Sequence, residues 1–392
     1  MMRKAGGLVS LLAGRLLSVK DLYGVAGFRT HAGTLEPLPL PFSREGLIVR
    51  TLRRAGAIVS GKTRTVPLAF GALGVNEETA TPANPSDPER VPGGSSSGAA
   101  VSLREGTAHV ALGSDTAGSI RIPASWCGLV GFMPARGRWS TDGIVPLSWS
   151  LDSPGIMTTS ADDARFAFHV LEGREARLRI DEPVPAAADA RLVVVDDPFL
   201  SSTSDPVARV FGEALHRLER AGSRVEARRS PSARAAVRLF DAGTVTAAEA
   251  HGFVQSRVPF LRAHLGPRVR AAVDRGAEVS AAAYLWRRRR LDVLARRARR
   301  ELRAGEVWVA PTTPTVAPRR DEVGEPAAYE RADRAALANT CVANTLGMCA
   351  ISLPAGRDPG GLPVGLMLMA PAGEEPRLLD LAVAVESAVA AA

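Results

Sequence analysis

Lysine is almost missing from this 392-residue chain. Lys4, Lys20 and Lys62 are the only three among 49 basic residues, and the other 46 are arginine (49 − 3). Arginine holds its proton under all ordinary conditions, whereas a buried lysine can give its proton up. Each lysine therefore raises the question of what arginine cannot do there. Cysteine is as scarce. Cys127, Cys341 and Cys349 form no CxxC pair, which excludes a disulfide framework and fits a reducing cytoplasm. The six histidines, at 31, 109, 169, 216, 251 and 264, keep no HExxH or other ligand spacing. That excludes the familiar zinc motifs, and no metal is expected. No apolar run reaches membrane-spanning length. Met1 to Leu17 imitates a secretory leader, but Arg15 interrupts its apolar part. It reads as a short helix or turn followed by a buried strand.

What is present is enough apolar sequence for a large core: 46% of residues are hydrophobic, which excludes wholesale disorder. The length suits one large α/β domain or two smaller ones, and no internal repeat or clean boundary divides the chain. Strand-like runs at 57–59, 109–112, 192–195, 307–309, 350–353 and 364–369 alternate with helical patterns at 44–55, 99–104, 205–221, 280–303 and 376–390. Ser160 to Asp163 resembles a capping box that opens a helix to Leu171. Residues 173–190 are rich in Ala, Arg and Pro and read as a connection. The alternation predicts an α/β fold with helices on both sides of a sheet.

Two motifs invite a nucleotide or nucleic-acid reading. Gly56-Ala57-Ile58-Val59-Ser60-Gly61-Lys62-Thr63 spells a phosphate loop, and Leu192 to Asp197 could supply its acidic strand. The context argues otherwise, since a phosphate loop leaves a strand at its first glycine and enters a helix at Lys-Thr. Here the strand lies inside the motif, and Arg64-Thr65-Val66-Pro67 is a poor helix start. The arginines at 287–290, 296–297 and 299–300 could bind nucleic acid. Interspersed Leu285, Trp286, Leu291, Val293, Leu294 and Leu302 instead suggest a solvated helix with one buried stripe.

The chemistry lies in two glycine-set serines: Ser95 in Pro92-Gly93-Gly94-Ser95-Ser96-Ser97-Gly98, and Ser119 in Gly113-Ser114-Asp115-Thr116-Ala117-Gly118-Ser119. Glycine permits close backbone approach and unusual dihedrals. Successive N–H groups in such a turn can converge on an anion, which makes a serine there a candidate nucleophile beside an oxyanion site. Flexible Gly/Ser loops are the plainer reading of either segment alone. A nucleophilic serine needs a base. His109, the nearest histidine, lies in an apolar strand and reads as core. Lysine can serve if neutral. Deprotonating an unperturbed lysine at pH 7 costs about 4–5 kcal/mol from its pKa of ~10.4, and burial can lower that pKa by ~3–5 units. Lys20 and Lys62 both end apolar runs, so local context does not choose between them.

Taken together, these segments resemble the amidase signature family of serine hydrolases. The core of the match is Pro92 to Gly98, Ala111 to Ala124 and Cys127 to Phe132, with the two serines 24 positions apart (119 − 95). Further blocks are Ser18-Val19-Lys20-Asp21, Ser60 to Thr63, Gly143 to Leu147, Leu151 to Gly155, Ala310 to Pro314, Ala343 to Gly347 and Gly361 to Leu366. They cover roughly the first 170 residues and the last 90, whereas about 175–300 is not specific. The resemblance implies a single-domain α/β/α sandwich with a mixed central sheet, with 175–300 a variable, substrate-side region. It implies a Ser-Ser-Lys triad that cleaves a carbon–nitrogen amide bond through an acyl-enzyme, without metal or organic cofactor. By this carry-over Ser119 is the nucleophile, Ser95, after a cis peptide, the bridge, and Lys20 the base. Lys62 is a structural position. The N–H groups of Thr116, Ala117, Gly118 and Ser119 would surround the oxyanion. The helical sequence before Lys20 is shorter than the family's, and exposure of Lys20 would raise its pKa. A small-molecule amide is the expected substrate and a homodimer an allowed assembly, with no membrane or nucleic-acid partner. Two alternatives remain: the glutamine-hydrolysing subunit of a tRNA-dependent amidotransferase, and a catalytically impaired homologue that acts as a binding or scaffold protein.

Overall fold

Fully buried strands end up inside the sheet and partly exposed ones at its edges. The computed structural model describes residues 12–173 and 185–390. Its strands are β1 (Leu16–Lys20), β2 (Ile58–Thr63), β3 (Val110–Asp115), β4 (Val130–Met133), β5 (Ser153–Thr158), β6 (Arg191–Val195), β7 (Arg224–Arg228), β8 (Glu306–Pro311), β9 (Cys349–Arg357) and β10 (Pro363–Ala370). They form one sheet in the order β2-β1-β3-β5-β4-β9-β10-β8-β6-β7. Every residue of β3, β4, β5, β8 and β10 is buried, as expected of strands covered on both faces. The edge strand β7 reads Arg-Val-Glu-Ala-Arg, and its side chains are partly or fully exposed. Charge on an edge discourages pairing with another chain.

The sheet is mixed. β2, β1 and β3 are mutually parallel at one end, as are β8, β6 and β7 at the other. The central pairs, β3–β5, β5–β4, β4–β9, β9–β10 and β10–β8, are antiparallel. The predicted α/β architecture with a mixed central sheet and flanking helices is the one observed. The helix Ala161–Leu171 starts where the capping signal places it, with Ser160 Oγ accepting from the Asp163 N–H at 3.1 Å.

The first eleven residues, and most of the connection read at 173–190, lie outside the described residues. Two readings change. His109 is exposed rather than core. It precedes β3, and its Nδ1 accepts the Leu16 N–H at 2.9 Å. The arginine-rich helix Ala281–Glu301 buries Leu291, Leu294 and Ala298, but Leu285 and Trp286 are 64% and 61% exposed. At ~100° per residue they lie about 120° and 140° round the helix from Leu291, off the buried stripe.

The phosphate-loop spelling is also resolved. Gly61, Lys62 and Thr63 belong to β2, and no α-helix begins at or directly after them. The acidic strand β6 lies on the far side of seven intervening strands. The Lys62 ammonium pairs with Asp21 at 2.5 Å and donates to Thr30 Oγ1 at 2.8 Å. It ties an edge strand to the loop beside it.

Candidate active site

Two parallel strands, β1 and β3, run side by side with Val19 opposite Leu112. Their carboxyl ends therefore open at the same edge, where parallel sheets commonly place their sites. Lys20 ends β1, and Asp115 ends β3 and leads into the turn that carries Ser119. Parallel pairing thus brings together residues about a hundred positions apart in the chain.

Lys20 is completely buried, the setting that a neutral lysine needs. Residues 21–23 fold back at the strand end, with the Leu22 and Tyr23 N–H groups donating to the Lys20 carbonyl at 2.7 and 3.0 Å. The ammonium donates to Ser95 Oγ at 2.7 Å, to Ser114 Oγ at 2.9 Å and to the Ser114 carbonyl at 3.3 Å. Burial lowers the Lys20 pKa to about 7, against the opposing pull of the Asp115 and Asp152 charges. Half of this lysine is therefore neutral near pH 7. Arginine could not reach that state.

Ser95 follows a cis peptide bond from Gly94, as the resemblance implied, and is fully buried. The Gly94 N–H donates to the Ala72 carbonyl at 2.6 Å, and the Ser95 carbonyl accepts from Thr65 Oγ1 at 2.9 Å. A Cβ on Gly94 would lie 2.6 Å from the Gly74 backbone, so the approach of these two segments requires glycine. The next residue docks onto the second serine turn, with the Ser96 N–H donating to the Ser119 carbonyl at 3.2 Å. Ser119 is 6% exposed, and its hydroxyl has no hydrogen-bond partner among the described residues. The Lys20–Ser95 contact is thus formed, and the Ser95–Ser119 contact is open.

A buried ion pair shapes the Ser119 turn. Asp115 and Arg121 are both fully buried, and the guanidinium grips the carboxylate with Nε to Oδ2 and Nη2 to Oδ1, each at 3.0 Å. Asn344 Nδ2 also donates to Asp115 Oδ1 at 3.0 Å. Burial pushes the Asp115 carboxyl pKa up, but the Arg121 charge and the hydrogen bonds outweigh it and hold it below the usual range. The carboxylate further takes the Gly118 N–H at 2.6 Å and the Ile120 N–H at 3.2 Å. This corrects one sequence expectation. The Gly118 N–H faces Asp115 and is not free for a substrate oxygen. The N–H groups of Thr116, Ala117 and Ser119 have no acceptor among the described residues. From another side, Thr340 Oγ1 donates to the Ala117 carbonyl at 2.6 Å.

Gly118 adopts φ +145°, and a Cβ there would meet Thr340 Oγ1 at 2.2 Å. Gly118→Ala is expected to destabilise the protein by about 1–3 kcal/mol and to lower turnover of the protein that remains folded. Thermal melts alongside kcat would check this; an unchanged Tm would show that the turn adapts freely.

Sequence reasoning assigned no role to Asp152. It is partly buried, and accepts from Thr116 Oγ1 at 2.6 Å, the Leu147 N–H at 2.9 Å and the Ser148 N–H at 3.0 Å. Burial raises its pKa to about 6, although these hydrogen bonds oppose the shift. Only its place in the Leu151 to Gly155 block hinted at it. Among the described residues, no group of three or more His, Cys, Asp or Glu side chains is arranged to hold a metal ion, and no helix is long and apolar enough to cross a membrane.

Comparison with known proteins finds relatives along nearly the whole chain. The Amidase family model matches residues 2–379. The 2-amino-5-chloromuconic acid deaminase of Comamonas testosteroni is 40% identical over 380 residues, covering 96% of this chain and 82% of that protein. The A subunit of the glutamyl-tRNA(Gln) amidotransferase from Thermus thermophilus is 34% identical, covering 97% and 86%. A solved amidase structure superposes with a TM-score of 0.85 at 31% identity, covering 96% of this chain and 85% of its own.

Proposed function

We propose, from the premise that this chain belongs to the amidase family, that Ser119 is the nucleophile, Ser95 the proton carrier and Lys20 the base of an amide-cleaving site. The protein is an amide-hydrolysing enzyme. The observation that carries the residue assignment is the 2.7 Å contact between Ser95 and a fully buried lysine whose pKa falls to about 7.

Neutral Lys20 accepts the Ser95 proton while Ser95 accepts that of Ser119. Catalytic hydrogen bonds that are long in an empty site often tighten when substrate arrives, and the Ser95–Ser119 contact is of that kind. The Ser119 oxygen attacks the amide carbonyl. The oxyanion then faces the N–H groups of Thr116, Ala117 and Ser119; one such donor is worth about 2.7–4 kcal/mol in other hydrolases. Ser95 passes a proton to the departing nitrogen, the carbon–nitrogen bond breaks, and ammonia or an amine leaves. Water, deprotonated through the same relay, attacks the acyl-enzyme and releases the carboxylic acid.

The expected substrate is a small-molecule amide. The cytoplasm is the compartment that suits three free, buried thiols. Similarity to an amidotransferase component supports a second reading, glutamine hydrolysis within a complex. Ammonia release from glutamine that depends on added partner subunits would favour it over a free-standing amidase.

The assignment is tested by the pH dependence of labelling with a fluorophosphonate. The adduct is expected on Ser119, identified by peptide mass spectrometry. The base works only when neutral, so the labelling rate should rise tenfold per pH unit below about 7 and level off above it. Labelling at another residue, or a rate that falls as pH rises through 7, would overturn the triad.

A further inference from the structure

The segment least readable in the sequence supplies a buried carboxylate that reaches the Ser119 turn through two intermediaries. Glu249 lies on the helix Thr244–Arg257 and is 3% exposed. Its Oε2 accepts from Ser148 Oγ at 2.5 Å and from the Ser150 N–H at 3.0 Å. Its Oε1 accepts from the Ser150 hydroxyl and, at 2.6 Å, from the Tyr284 hydroxyl. Tyr284 lies on the arginine-rich helix. One side chain therefore joins two helices of the variable region to the 148–150 loop. Apolar packing follows the same route, with Leu151 buried against Val245 and Leu291. Arg136 also holds the loop, donating to the Ser150 carbonyl at 2.5 Å.

The loop in turn grips the oxyanion turn. The Leu147 and Ser148 N–H groups fix the Asp152 carboxylate, whose other oxygen takes the Thr116 hydroxyl. Asp115 holds Gly118 and Ile120 on the opposite side of the turn but makes no contact with the Thr116 N–H. The Asp115 carbonyl, in the same peptide unit as that N–H, accepts from Asn344 Nδ2 at 3.0 Å, and the Asp152 contact is the second tether, holding Thr116 by its side chain. We infer that Glu249 is a positioning residue for amide cleavage, fixing the Thr116 end of the oxyanion turn through the 148–150 loop and Asp152. This inference rests on the oxyanion assignment proposed above.

A double-mutant cycle tests it. Glu249→Gln keeps the side-chain shape but replaces an acceptor oxygen with a donor facing hydroxyl and N–H groups. It is expected to lower kcat about 10- to 100-fold, part of the loss seen when an oxyanion donor is removed, with KM changed less than about twofold. Thr116→Val cuts the link to Asp152 and should lower kcat similarly. If Glu249 acts through Thr116, the double variant should be little worse than either single one. Glu301→Gln is the control. Glu301 is a comparable hub, accepting from Ser230 Oγ and Ser232 Oγ, each at 2.5 Å, but it has no link to the turn, and kcat should stay at the wild-type value.

Rates are normalised to folded protein by circular dichroism, so simple unfolding does not count as support. Multiplicative losses from Glu249→Gln and Thr116→Val, or an unchanged kcat in Glu249→Gln, would overturn the inference. Failure of the wild type to label at Ser119 would instead overturn the triad assignment, so the two failures are distinguishable.

Discussion

Lys20→Arg is expected to be as inactive as Ser119→Ala, with kcat/KM lower by about 10⁴-fold or more in each case. Arginine preserves the positive charge on a slightly longer side chain, so the substitution is conservative by charge alone. It fails because the reaction needs the neutral form. Lys20 reaches that form near pH 7 because burial strips its ammonium of water, whereas a guanidinium keeps its proton even when buried. The two variants should differ in one respect. Ser119→Ala removes the atom that a fluorophosphonate modifies and should give no adduct at that position. Lys20→Arg retains the serine, and its labelling should be slow and lack the rise through pH 7. Turnover of a small amide by ammonia release, together with labelling kinetics from pH 5 to 9, would measure both. Substantial activity in Lys20→Arg would mean that the residue serves only as a cation.

Arg121→Met is expected to lower unfolding stability by about 3–5 kcal/mol, because it leaves the Asp115 carboxylate buried without its charge partner. The wild-type pair is fully enclosed and doubly hydrogen-bonded, so solvent screening gives little relief. The sign of the pH dependence follows. With Arg121 present, the folded Asp115 pKa lies below the unfolded value of ~3.9. The stabilisation is therefore full above that value and is lost as pH falls through the folded pKa. Without Arg121, burial dominates and the carboxyl pKa rises. The deficit of the variant should then be largest near neutral pH and shrink on acidification, as Asp115 becomes protonated in the folded variant while it stays ionised in the wild type. Urea unfolding at pH 7 and pH 4.5 would measure it. A loss below about 1 kcal/mol at both pH values would show that the pair is dispensable. Activity should fall as well, since the same carboxylate holds the Gly118 and Ile120 N–H groups.

Much of this was legible in the chain itself. Strand and helix alternation predicted the α/β sheet, and Ser160 marked the start of a helix because capping is chemistry within four residues. The glycine-set serines and the scarcity of lysine pointed to the site, since each is a property of composition or short spacing. Lys20 and Lys62 look alike locally because both end an apolar run. The family resemblance chooses Lys20, but the physical difference arises in the folded chain, where β1 is flanked by β2 and β3 while β2 is an edge strand. The flanked lysine loses its water, and the edge lysine keeps Asp21 as an ion partner. Nothing in the chain's letters showed that the Gly118 N–H binds Asp115, because that depends on how the turn folds back on the end of β3. Asp152 and Glu249 gave still less signal. A carboxylate looks the same in sequence whether it is solvated or buried under four donors, and the donors of Glu249 come from segments about 35 and 100 residues away. The sequence alone determined which chemical groups were available and where the chain could turn. The tertiary structure decided which lysine is dry, which N–H groups are free and which carboxylates hold the turn, because desolvation and hydrogen-bond pairing arise between segments rather than within them.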